Sequence, residues 1–247
     1  MYNKNMKRIL LKIAYDGTNF HGWQRQDGLR TVQGEIEKAI MSAFKIQTEV
    51  FASGRTDAGV HALGQMAHFD VDNSCPTNKI KMILNRILPP DIQILAAKKV
   101  PEDFHARFDA KAKTYLYKIC TGERNCFLAN RAAFIKNLSL PKLEEIASVF
   151  MGEHDFKGFC SSQTSAQNFV RKIYSIEITK KKSNIVFEIT GNGFLMNMVR
   201  ILVGSMVDYS LGKLSKEKIL LALKSGQRSM SGRTMPPQGL YLKKVQY

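Results

Sequence analysis

The segment Gly54-Arg55-Thr56-Asp57-Ala58-Gly59-Val60-His61-Ala62 places one carboxylate between two glycines, with a guanidinium two residues before it. A β-rich run enters it. Glycines permit backbone torsions that hold a side chain at a loop tip and let a ligand come close. The chemistry open to such a loop is that of a carboxylate beside a fixed positive charge. It could hydrolyse a small substrate or act on a larger, anionic one. On composition alone the same pattern is a plain turn after a strand. Tyr115 and Tyr117 share one face of a regular strand, so periodicity does not separate a functional ring from a core ring. Arg200 stands alone among Met196, Met198, Val199, Ile201, Leu202 and Val203. An arginine in such company is either paired or snorkels at the helix edge.

Other chemistries drop out. There is no GxxxxGK[ST], and Gly191-Asn192-Gly193 lacks the third glycine of a dinucleotide fingerprint, so no nucleotide cofactor is expected. The five histidines include no HxxxH pair and stand near no Cys or carboxylate pattern of a zinc site, so no metal is expected. No GxSxG elbow occurs. Cys75, Cys120, Cys126 and Cys160 form no CxxC pair, which points to reduced thiols and a cytoplasmic protein.

The elements that must position these residues follow from patterning. Residues 8–15 read as a strand. Val32, Ile36, Ile40 and Phe44 recur every four residues, which predicts a helix over 31–44 capped by Thr31. Residues 48–53 and 64–71 read as strands on either side of the Asp57 loop. A second amphipathic helix spans 78–88 and stops at Pro89-Pro90. A strand follows at about 92–100. The second half echoes this order. It has a strand at 112–120 and a helix capped by Ser139 and ended by Gly152. Strands at 170–179 and 184–190 join through the basic turn Lys180-Lys181-Lys182-Ser183. A long apolar helix covers 194–210, another helix capped by Ser215 covers 216–225, and a last strand covers 239–245. Helices mixed with hairpins predict an α+β fold. Two βαββαβ-like (ferredoxin-like) halves would share or abut a mainly antiparallel sheet flanked by helices. The expected domains are 1–104, carrying the Asp57 loop, and 105–247, completing the cleft.

Charge narrows the partner. The 247 residues carry 37 Lys and Arg against 21 Asp and Glu, a formal net charge of +16. An excess this large suggests a polyanion, nucleic acid first and an anionic membrane surface second. The most apolar stretch, Ile201 to Val207, is far short of the roughly 20 residues a membrane span needs. The N-terminal residues MYNKNMKR, followed by a very short apolar run broken by Lys12, do not read as a signal peptide.

Several further motifs lie along the chain in order. They are Tyr15-Asp16-Gly17-Thr18-Asn19-Phe20-His21-Gly22-Trp23-Gln24-Arg25-Gln26, Val32-Gln33 at a helix start, and Asp103-Phe104-His105-Ala106-Arg107-Phe108. Lys113-Thr114-Tyr115-Leu116-Tyr117, Met198-Val199-Arg200 with Gly204-Ser205, and Gly239-Leu240-Tyr241-Leu242 complete the set. Together with GRTDAGVHA they resemble the motifs of the TruA family of tRNA pseudouridine synthases, over residues 13 to 242.

The resemblance implies a pseudouridine synthase fold and the isomerisation of uridine to pseudouridine at positions 38, 39 and 40 of the tRNA anticodon stem-loop. It implies a homodimer whose two subunits grip one tRNA, with no cofactor and no metal required. Asp57 falls on the catalytic aspartate. A carboxylate suits the reaction as a nucleophile or as the partner of a developing cation. Attack at the ribose, attack at the base and a glycal route all remain open. Tyr115 falls on the active-site tyrosine, whose ring can stack on an extruded uracil. Arg200 falls on the arginine that pairs with the catalytic aspartate. Arg55 falls on an arginine implicated in base extrusion, where a guanidinium can fill the vacated stack. Leu240 falls on an apolar residue lining the base pocket and would otherwise be plain core. Trp23, Arg25 and Gln26 are placed at the RNA surface by motif position, with a structural plug as the other reading of Trp23. The sequence departs from the family between Lys157 and Arg171, where residues 160–169 contain no cation. That removes loop contacts to RNA that many members would make.

Overall fold

Residues 6–72 and 75–247 are described here from a computed structural model. Most of the N-terminal segment read as lacking a signal peptide lies outside them. The chain divides into two compact units: Met1–Lys111 together with Leu242–Tyr247, and Ala112–Tyr241. The strands within residues 6–100 pair antiparallel, as do those within 112–191 apart from one short parallel contact, so the architecture is α+β with mainly antiparallel strands flanked by helices.

In the first unit, β1 (Met6–Tyr15), α1 (Val32–Phe44), β2 (Phe51–Ala52), β3 (His61–Asp72), α2 (Thr77–Ile87) and β4 (Ile92–Val100) follow in that order. The sheet order β4-β1-β3, with β2 also on β3, is that of a βαββαβ unit. The four-residue spacing of α1 does its expected work: Val32, Ile36 and Ile40 are fully buried, and Thr31 Oγ1 accepts from Gly34 N at 3.3 Å. Ile80 and Leu84 of α2 are buried in the same way. Asn85 locks α2 to β4 by exchanging hydrogen bonds with both backbone groups of Ile94, at 2.9 and 2.7 Å. The expected strand over 48–53 contracts to Phe51–Ala52, because the Val50 amide donates to Glu37 of α1 at 3.0 Å instead of joining a ladder.

The second unit runs β5 (Ala112–Cys120), β6 (Ala133–Phe134), α3 (Leu140–Ala147), β7 (Gly152–Asp155), β8 (Val170–Lys181), β9 (Asn184–Gly191), α4 (Met198–Ser210) and α5 (Lys216–Ser225). β10 (Leu240–Gln246) starts in this unit and finishes in the first. Strands pair in the order β5-β9-β8-β7, and β6 lies parallel to the end of β5. β8 and β9 form the expected hairpin, with Lys182 at φ 52° in its turn. Ser139 does start α3, but without a side-chain cap. Its own amide instead donates to Ser210 Oγ at 2.8 Å. The helix expected over 194–210 begins only at Met198, because Asn197 takes a left-handed conformation (φ 61°, ψ 2°) that no helix continues through. Arg200 therefore sits in the first turn of α4, not in mid-helix.

Candidate active site

The Asp57 loop, between β2 and β3, is braced from below and from one side. Below it, Gln65 of β3 is fully buried. Its amide donates to Gly54 O at 2.8 Å and its carbonyl accepts from the Ser53 hydroxyl at 3.2 Å. At the side, the segment after β1 threads against the loop. Tyr15 and Thr56 join their hydroxyls at 2.8 Å in a buried contact. Burial pushes the Tyr15 hydroxyl up to about 12, against the opposing effect of its hydrogen bonds to Thr56 and Gln65. Gly17 N donates to His61 Nδ1 at 3.0 Å, Gly59 N to Phe20 O at 3.3 Å, and Trp23 N to Thr56 O at 3.0 Å.

Two glycines make this approach possible. A Cβ on Gly17 would stand 2.0 Å from the Val60 carbonyl oxygen. A Cβ on Gly22 would stand 2.6 Å from Thr56 O, and its φ of +87° is itself a glycine conformation. The sequence motifs at 15–23 and 54–61 are thus two sides of one packed contact. Their product is an Asp57 side chain held half-buried on a tight turn, closed by Val60 N donating to Asp57 O at 3.2 Å. Arg55 is exposed on the same loop.

Trp23 does not face solvent. It is buried, with its ring 6.1 Å from that of Tyr15, so its side chain is the structural plug behind the loop and not an RNA-surface group. Arg25 is exposed and pairs with Glu37 at 2.7 Å, while its amide donates to the buried Gln33 at 2.9 Å.

In the second unit, Tyr115 is buried against Phe194, edge to face at 5.1 Å. Tyr117, on the same face, is fully buried, and its hydroxyl donates to Pro236 O at 2.7 Å. Burial raises the Tyr117 pKa strongly, which keeps that hydroxyl a donor. Arg200 does not snorkel freely. It is half-buried, with Nε donating to Met235 O at 2.6 Å and a terminal nitrogen to Asn197 Oδ1 at 2.8 Å. Leu240 opens β10 and is buried. No group of three or more metal-ligating side chains occurs among the described residues.

The family described as "tRNA pseudouridine synthase" matches residues 12–109 and 146–247. The chain belongs to this family. It is 44% identical over 244 residues to the tRNA pseudouridine synthase A of Anoxybacillus flavithermus, covering 98% of this chain and 99% of that one. It is 42% identical to the protein of the same name from Caldicellulosiruptor bescii and 41% to that from Acetivibrio thermocellus, each over 244 residues, 98% of this chain and all of the relative. As a pseudouridine synthase it is an isomerase acting on tRNA.

Reading the sequence did not single out Gln65, Phe194, Asn197 or the Met235-Pro236 carbonyls that organise the synthase's motif residues. Gln65 gives no signal, since a polar strand residue reads as solvent-facing until tertiary packing buries it. Asn197 carried one: asparagine tolerates the left-handed region and breaks helices there.

Proposed function

We propose that this synthase converts uridine to pseudouridine at positions 38, 39 and 40 of the tRNA anticodon stem-loop, acting as a homodimer in the cytoplasm. The observation that carries the reading is the Asp57 loop, pinned by residues 15–23 so that a carboxylate and a cation stand two residues apart on a rigid turn. Rigid presentation lets a charged group stabilise a transition state without reorganising. In the reaction the bond from uracil N1 to the ribose C1′ breaks, the base turns, and C5 bonds to C1′. The C5 proton is lost and N1 gains one, so the product is an isomer and no redox partner is needed. Asp57 is the catalytic group. The Tyr115 ring stacks on the extruded uracil, Leu240 lines the base pocket, and Arg200 supplies the counter-charge for the carboxylate. Arg55 occupies the gap that the base leaves, as its exposure on the loop allows.

The test is tritium release from 5-tritiated uridine in unmodified tRNA, with the modified positions mapped. Wild type is expected to release tritium from positions 38–40, and Asp57→Asn to release none while still retaining tRNA on a filter. Substantial release by the variant would overturn the role of Asp57. Modification confined to other positions would overturn the assigned target. Sedimentation at micromolar concentration is expected to give a dimer.

A further inference from the structure

The second unit contains a cavity of about 600 Å³ between the segment that follows β5 and the one that precedes β10. Its walls include Arg124, Lys136 and Arg233, with Phe134, Met235 and Pro236 behind them. Its inner wall is therefore the pair of residues whose carbonyls hold Arg200 and Tyr117.

The three cations are not equivalent. Arg233 is committed to Asp208, through Nε at 2.7 Å and its own amide at 3.0 Å, and Asp208 is buried. Lys136 bonds Glu123 at 2.6 Å, but that carboxylate is 89% exposed. An exposed pair of this kind is worth little and exchanges its carboxylate for another anion at small cost. Arg124 makes no hydrogen bond or ion pair among the described residues and is exposed. Two cations are thus available at the mouth.

Phe127 lies in the chain between two lining residues, Arg124 and Ala129, and is 83% exposed. It is not on a loose loop. Phe127 N donates to Asn125 Oδ1 at 2.9 Å, Leu128 N to Asn125 O at 3.0 Å, and Arg131 N to Leu128 O at 2.9 Å. A rigid, exposed aromatic ring beside available cations is what recognises unpaired nucleotides: the ring stacks on a base, and the cations hold its phosphates. Arg124 and Lys136 give this face a positive charge complementary to phosphate.

We propose that this cavity and its rim form a second RNA-docking site. Phe127 would stack on an unpaired base of the substrate other than the uridine that reacts, and Arg124 and Lys136 would contact the flanking phosphates. This rests on the tRNA-modifying reading above and extends it to residues outside the motifs.

The test compares Phe127→Trp, Phe127→Leu, Phe127→Ala and Arg124→Ala with wild type, by KM and kcat on unmodified tRNA and by filter retention at several salt concentrations. Phe127→Ala and Phe127→Leu are expected to raise Kd and KM about tenfold, within the range for loss of one stacked base, and to leave kcat within about twofold. Phe127→Trp is expected to retain wild-type affinity. Arg124→Ala is expected to reduce the slope of log affinity on log salt by about 1. Unchanged Kd in Phe127→Ala, with wild type still active, overturns the docking site alone. Full affinity in Phe127→Leu, or a changed sedimentation coefficient in Phe127→Ala, assigns the ring to an apolar protein contact and also overturns it. A wild type that forms no pseudouridine in tRNA overturns the reading beneath it.

Discussion

Tyr115 and Tyr117 show how two like residues on one strand face divide their work. Tyr117 OH is spent on Pro236 O inside the second unit. Tyr117→Phe removes the donor to that carbonyl and is expected to cost about 0.5–1.5 kcal/mol of stability, read from denaturant unfolding. Tyr115→Phe keeps the ring against Phe194. It is expected to lower kcat, with tRNA affinity retained. Equal effects of the two substitutions on rate would dissolve the distinction. The motif alone singled out Tyr115, since both residues read alike as strand tyrosines. Arg200 belongs at the same scale. Within the second unit it also holds the Met235 carbonyl and Asn197. Arg200→Ala is therefore expected to destabilise by about 1–3 kcal/mol through the stranded carbonyl alone, besides lowering the rate.

Elements were legible where a single period governed them and not where a side chain intervened. The spacing of Val32, Ile36 and Ile40 was enough for α1, because nothing competes with burial of that stripe. The strand before the Asp57 loop was over-read, because its amide at Val50 is claimed by Glu37 from another element. α4 was over-read at its start, because Asn197 supplies no apolar break, only a local backbone preference. The packing of the 104–109 segment against β3 was not legible at all. There the Ala106 amide donates to the buried His68 Nδ1 at 3.1 Å. Burial, the Arg8 guanidinium and His105 lower the His68 pKa to about 4, with Asp70 and Asp109 opposing. A histidine whose folded pKa lies below its unfolded value resists protonation in the native state only. The unfolded chain then binds the extra proton between about pH 6.5 and 4, so stability falls as pH drops through that window. His68→Gln is expected to flatten this part of the stability profile. A profile with the same slope in both proteins would remove His68 as its source.

At the scale of the whole molecule, the charge of +16 makes a demand of its own. If it serves RNA, binding must release counterions. With roughly 6 phosphate contacts, log affinity should fall on log salt with a slope of about −4 to −5. Arg55→Ala separates two roles within that total. A phosphate contact would lower the slope by about 1, and turnover would recover at saturating enzyme. Filling the space of an extruded base would keep turnover low with all tRNA bound, and that is the outcome expected. A flat salt dependence would turn attention back to a small substrate. Composition made the polyanion legible, but not the surface that meets it, because a lysine on a solvated face and one on a phosphate look the same in a sequence.

The division of the chain has a consequence for synthesis. Leu242–Tyr247 belong with the first unit, where Gln246 O accepts from Lys111 N at 2.8 Å and Tyr247 OH donates to Ala106 O at 2.8 Å. Some 130 residues separate these two parts of one unit. At about 5–20 residues per second, a ribosome takes about 7–26 s to cross that gap. The nascent first unit waits through it with β3 lacking one neighbour and the DFHARF segment lacking its tyrosine clasp. Stalled chains ending near Lys111 are expected to be cut readily by protease in the 104–111 segment, and chains extended past Tyr247 and clear of the exit tunnel to resist. The Asp57 loop is thus made early in translation, in a unit that closes only after the other has been synthesised.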